Sequence, residues 1–169
     1  NADIEAKNLI RQNIKIQKSI INNFGNNVLN KDNEIDYFKL SVKVFKNKKN
    51  QTILNKIIHP PIISIIENLY NTMQFQTKNN LFIIDAPLIF ESGLDKKIDS
   101  IIFIKSDINK RIKRAILRGN HTKVEIMKRF KLQMNEKLKG EKSDYIIENN
   151  EGLSKLRKQV LNLYDTIIS

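Results

Sequence analysis

Apolar residues change their rhythm near the middle of the chain. Up to about residue 78 they recur at helical spacing, and beyond it they gather into short unbroken runs. In 3–22, Leu9, Ile10, Ile14, Ile16, Ile20 and Ile21 fall at roughly helical intervals, which predicts a helix. Turn formers crowd 24–36, FGNNVLNKDNEID, and predict a loop. Residues 37–46 and 50–58 read as short helices. His59-Pro60-Pro61 predicts a break, because proline suits a first helical turn and not an interior. The next helix is expected from about 62 to 76.

LFIID (81–85), SIIFIK (100–105) and DYIIEN (144–149) are short and β-branched, with little alternation. Such runs predict strands covered on both faces, as in a parallel sheet. Between and after them lie helical patterns. One helix is expected over 107–118, started by Ser106 and Asp107 and stopped by Gly119. Thr122 and Glu125 form a capping box for another. Leu153, Leu156, Val160, Leu163 and Ile167 share one stripe of a last helix. Strand and helix alternate here, so the class is α/β with a parallel sheet, preceded by a helical block. The chain reads as one compact unit, 1–169, carrying a helical insertion.

Composition narrows the functions. With 169 residues there is room for a core. The absence of cysteine excludes disulfides, thiolate chemistry and Cys-based zinc sites. No stretch has the length of a membrane span, and cytoplasm is the expected location. Lys and Arg number 30 against 18 acids, a formal charge of +12. That balance favours polyanions such as nucleic acid, anionic membrane surface or phosphorylated small molecules, although many lysines simply form a solvated surface. A nucleic-acid module would interleave basic and exposed aromatic residues, and only 7 % of residues are aromatic. The two histidines, His59 and His121, have no metal-ligand spacing.

Three groups of residues carry candidate chemistry. Asp85 stands at the carboxyl end of the first predicted strand, where ligands bind in open α/β sheets, and Pro87 stops the ladder behind it. Capping the following segment would equally explain Asp85. Arg111, Arg114 and Arg118 share one helix face and suit a phosphate clamp, with a solvated basic face as the ordinary alternative. Asp3 precedes a helix and reads as an N-cap or an acid at a site.

Taken in order, these pieces resemble the dephospho-coenzyme A kinase family of P-loop kinases. The matching segments are NADIEAKNLI, FGNNVL with EID, LNKIIHPPI, IIDAPLIFESGLDKKID, RAILRGNHTKVEIMKRFKLQ and SDYIIENN. The resemblance implies a three-layer P-loop kinase-like fold: a parallel sheet, a helical substrate-binding insertion at about 4–78 and a helical lid at 107–140. It implies transfer of phosphate from ATP, with Mg²⁺, to the ribose 3′-hydroxyl of dephospho-coenzyme A. Asp3 would be the general base or orienting acid. Arg114 and Arg118 would neutralise the transferring phosphate from the lid. His59, Asp85 and Pro87 would lie at the substrate, with a water link from Asp85 to Mg²⁺. Asn149 would approach the adenine. No metal ligand is assigned. The implied partner is a small molecule and neither nucleic acid nor membrane, and the implied state is a monomer. Another small-molecule P-loop kinase and a basic nucleic-acid-binding module are the alternatives.

Three features depart from the family pattern. Asn1 replaces its first acid, and Tyr37 stands where it has Arg. These residues also contain no G-x-x-x-x-G-K-[ST] phosphate loop. The expectation is therefore a chain that starts after that loop and cannot phosphorylate by itself.

Overall fold

The computed structural model describes residues 1–74, 81–119 and 122–168. His121 and the end of the helix expected to reach residue 76 lie outside them. The chain divides into two compact units, Asn1–Leu94 and Asp95–Ser169.

The first unit is the helical block. Helices α1 (Ala2–Gln12) and α2 (Ile14–Phe24) replace the single helix expected over 3–22. Asn13 parts them. Its backbone is extended (φ −101°, ψ 104°), and its side chain caps α2 by accepting from the amides of Lys15 and Ile16. Asparagine competes for backbone hydrogen bonds in this way, which periodicity alone does not register. The loop over 24–36 forms as expected. A bridge between Leu29 and Ile35 closes it, and the Asn30 side chain accepts from the amides of Asp32 and Glu34. Helix α3 (Tyr37–Val44) follows, N-capped by Asp36.

The break expected at 59–61 does not occur. Helix α4 (Lys48–Gln74) runs through Pro60 and Pro61. Proline removes the two hydrogen bonds that residues 60 and 61 would give to the carbonyls of Lys56 and Ile57, at a cost of about 3 kcal/mol or more for each proline. Lys56 and Pro60 are exposed, so water can reach that flank. On the opposite flank Gln51, Ile58, Ile62 and Ile66 are buried. Burying one isoleucine stabilises by about 1.5–3 kcal/mol, so the row of three offsets a penalty of that order. The rest of this core comes from Ile10, Ile16, Ile20, Phe24, Val28, Leu40 and Val44.

Residues 81–85 do not form the expected strand. A strand needs ladder partners, and among the described residues none pairs with 81–84. Ile83 is 82 % exposed, so the run is not covered on both faces. Phe82 meets Tyr70 of α4 edge to face, with ring centroids 5.8 Å apart. A short helix, α5 (Ile89–Ser92), follows.

The second unit holds a parallel pair, β1 (Ile102–Lys105) with β2 (Tyr145–Glu148), in register from Ile102–Tyr145 to Lys105–Glu148. Ile102 and Ile104 remain 41 % and 49 % exposed, so these strands also lack the two-sided cover that their composition suggested. Helix α6 (Ile108–Leu117) starts at the Asp107 cap. Gly119, at φ +79°, takes the left-handed backbone that ends such a helix without a Cβ penalty. Helix α7 (Lys123–Leu132) carries the expected Thr122–Glu125 capping box. In α8 (Glu136–Glu141), a Cβ on Gly140 would stand 3.6 Å from Ile146 and 3.8 Å from Phe103, which marks the close approach of this helix to the sheet. Helix α9 (Leu153–Ile168) is tied to β2 by Gln159, which bonds both the amide and the carbonyl of Glu148. Its expected stripe is only half realised. Leu156, Leu163 and Ile167 are half-buried, whereas Leu153 is 83 % exposed.

Asn13 serves two helices, so Asn13→Ala is expected to lower unfolding free energy by about 1 kcal/mol, read by urea denaturation.

Candidate active site

Helix α1 begins at a built corner. Asn1 is its N-cap, accepting at Oδ1 from the Ile4 amide at 3.0 Å. The same side chain donates from Nδ2 to Oδ2 of Asp85 at 2.5 Å. The Ala2 amide donates to the Asp85 carbonyl at 2.9 Å. Residues 1 and 2 therefore hold both the side chain and the main chain of Asp85. Asp3 lies in the first turn of α1, where the positive end of the helix favours a carboxylate.

Asp3 and His59 line one cavity of about 180 Å³, together with Gln51, Asn55, Pro87 and Ser92. Apolar side chains supply the remaining wall, among them Ile10, Phe45, Ile58, Ile62, Ile66 and Leu94. Drug-sized ligands occupy roughly 300–1,000 Å³, so this space takes part of a larger molecule. Asp85 stands beside it, bonded to Asn1, while its neighbours Ala86, Pro87 and Leu88 form the wall.

His59 is half-buried. Burial pushes its pKa below the usual 6.5, and the nearby Glu91 carboxylate offsets that only in part. The imidazole is therefore neutral at pH 7 and can both donate and accept a hydrogen bond.

The remaining candidates lie in the second unit, and two of them meet. Arg114 donates from Nη1 to the Asn149 carbonyl at 3.0 Å, so two residues singled out separately are in direct contact. Ser106, only 7 % exposed, donates to the same carbonyl at 2.9 Å. The Asn150 side chain accepts from the Asp107 amide at 2.7 Å, and its carbonyl accepts from Lys110 Nζ at 2.5 Å. These groups follow the carboxyl ends of β1 and β2, the edge where parallel sheets bind ligands. Arg118 is exposed as the C-cap of α6. Arg111 behaves differently. It pairs with Glu136 and lies 4.7 Å over the Phe130 ring, which gives it a packing role.

Sequence reasoning passed over Gln51 and Asn150 and took Ser106 only as a helix start. Gln51 and Ser106 are buried polar residues, which spacing does not reveal. Asn150 could have been suspected from its place just after a predicted strand.

Among the described residues no cluster of three or more His, Asp or Glu side chains could hold a metal ion. That donor set fits Mg²⁺ only as ATP brings it, on phosphate oxygens and water with one or two protein carboxylates.

The family model for dephospho-CoA kinase matches residues 1–155. The chain belongs to the dephospho-CoA kinase family. It is 37 % identical over 167 residues to the dephospho-CoA kinase of Fusobacterium nucleatum, covering 99 % of this chain and 84 % of that one. The dephospho-CoA kinase of Listeria monocytogenes is 33 % identical, with 95 % and 80 % covered. The solved dephospho-CoA kinase of Campylobacter jejuni superposes with a TM-score of 0.65 at 28 % identity, over 99 % of this chain and 83 % of that one. A solved Thermus thermophilus protein matches at 0.74 and 18 % identity, over 99 % of this chain and 83 % of that one, which speaks to the fold alone. The mixed helices and parallel sheet fit the α/β P-loop kinase-like class. Tyr37, expected from the resemblance to stand in place of an Arg, has a visible structural use. Its hydroxyl donates to the Lys7 carbonyl at 2.8 Å and so ties α3 to α1.

Below pH 6.5 the unfolded chain protonates His59 before the folded protein does. The stability contribution is present above that pH and is lost as pH falls through the lower folded value. Thermal melts from about pH 5 to 7.5 are expected to show this slope, and His59→Gln to flatten it.

Proposed function

We propose that the protein transfers the γ-phosphoryl group of ATP to the ribose 3′-hydroxyl of dephospho-coenzyme A, the last step of coenzyme A formation. The carrying observation is the meeting of Asp3, His59 and Pro87 around one largely apolar cavity. Asp3 accepts the proton of the attacking hydroxyl or orients it. Neutral His59 holds substrate by hydrogen bonding and avoids placing a cation in an apolar wall. Asp85 and Pro87 complete the substrate wall.

Arg114 and Arg118 offset the charge that spreads over the transferring phosphoryl oxygens, which is where most catalysis of phosphoryl transfer originates. Asn149 serves the adenine end of ATP. Asp85 would hold a water of any Mg²⁺ that arrives with ATP, and the ion would supply positive charge against the phosphates. Residues about 4–78 make the substrate lobe and 107–140 the lid of one kinase-like domain. No helix among the described residues is long and apolar enough to cross a membrane. We place the protein in the cytoplasm as a monomer acting on a small molecule.

The test is ADP release, measured on a protein in which a phosphate loop precedes residue 1, with dephospho-coenzyme A beside a panel of nucleosides and nucleoside monophosphates. Turnover is expected only with dephospho-coenzyme A, and turnover only with a nucleotide acceptor would refute the assignment. Asp3→Asn is expected to lower kcat by roughly 10²–10⁴-fold with little change in KM for dephospho-coenzyme A.

A further inference from the structure

We infer that Asn1 is a positioning residue that aims Asp3, and that its amide is matched to the Asp85 carboxylate. Three hydrogen bonds converge on this corner. Asn1 Oδ1 accepts from Ile4, Asn1 Nδ2 donates to Asp85, and the Ala2 amide donates to the Asp85 carbonyl. The first two come from one side chain and run in opposite senses. A carboxamide can do this, because it has an acceptor and a donor on the same carbon. An aspartate at position 1 caps a helix equally well but cannot donate when ionised.

The local charge explains why an amide is needed. The acids of this corner are Asp3 and Glu5, in the first turn of α1, and Asp85. A carboxylate at position 1 would lie within hydrogen-bond distance of Asp85. Two carboxylates so close cannot both stay ionised, and one would take up a proton. Asn1 converts that repulsion into a bond. With the N-cap fixed to Asp85, the first turn of α1 has a set height against Ala86, Pro87 and Leu88, which line the cavity along with Asp3. Asp3 lies two residues beyond the anchor, so its direction into the cavity follows from it.

The kinetic part of this inference rests on the kinase assignment, and the structural part does not. The test compares wild type, Asn1→Asp and the exchanged pair Asn1→Asp/Asp85→Asn. Thermal melts are taken across about pH 4–8, with the pH dependence of kcat for dephospho-coenzyme A. Asn1→Asp keeps the cap and loses only the donor. Its melting temperature is expected to fall by several °C at neutral pH, with the gap closing toward about pH 4 as carboxylates protonate. The exchanged pair restores one amide–carboxylate bond and is expected to remove that pH-dependent gap. The acid limb of kcat in Asn1→Asp is expected to move up by roughly one pH unit, because added negative charge raises the proton affinity of Asp3. A variant that melts in parallel with wild type at every pH, with its acid limb unmoved, would overturn the proposal. The kinetic arm uses variants in which a phosphate loop precedes residue 1, and a wild-type protein of that form that turns over no dephospho-coenzyme A would count against the kinase assignment alone, since the melts still decide the corner.

Discussion

The helical unit depends on one apolar seam, the buried row Ile58, Ile62 and Ile66 along α4. That row keeps a 27-residue helix whole across two prolines. It is also part of the cavity wall, as are the buried Ile10, Val44 and Leu94. Core and site therefore share side chains. The position of His59 follows directly, since it sits one residue past Ile58 and is carried to the cavity by the helix that the seam secures.

Much of the architecture was legible because it rests on local chemistry. Asp107 and Thr122 cap the helices they were expected to cap, and Gly119 takes the left-handed turn. The runs around 102–105 and 145–148 form parallel strands. What escaped is what local rules cannot weigh. Asn13 divides a helix that periodicity joins, and Pro60-Pro61 fails to divide one that local preference breaks. In the second case burial along α4 offsets the local cost. The stretch 81–85 has strand composition, but strand formation depends on partners, which composition cannot supply.

The site was partly legible for a similar reason. Asp3, His59 and Pro87 are far apart in sequence, and order along the chain joined them only through resemblance. The structure joins the three in one cavity. It also separates Arg111 from its helical companions, because a nearby acid and a phenyl ring engage it. Spacing puts three guanidinium groups on one face, but it cannot say which of them has a prior engagement. The contact between Arg114 and the Asn149 carbonyl lay outside any local reading, since it spans 35 residues.

The two prolines of α4 leave a mark beyond the energetics of folding. With no amide at 60 or 61, the carbonyls of Lys56 and Ile57 have no donor from the next turn, and the gap lies on the exposed flank. A rod with a notch on one side is compliant in one direction and stiff in the others. Any bending of α4 is therefore expected to centre on this notch, at the level of the imidazole in the cavity wall.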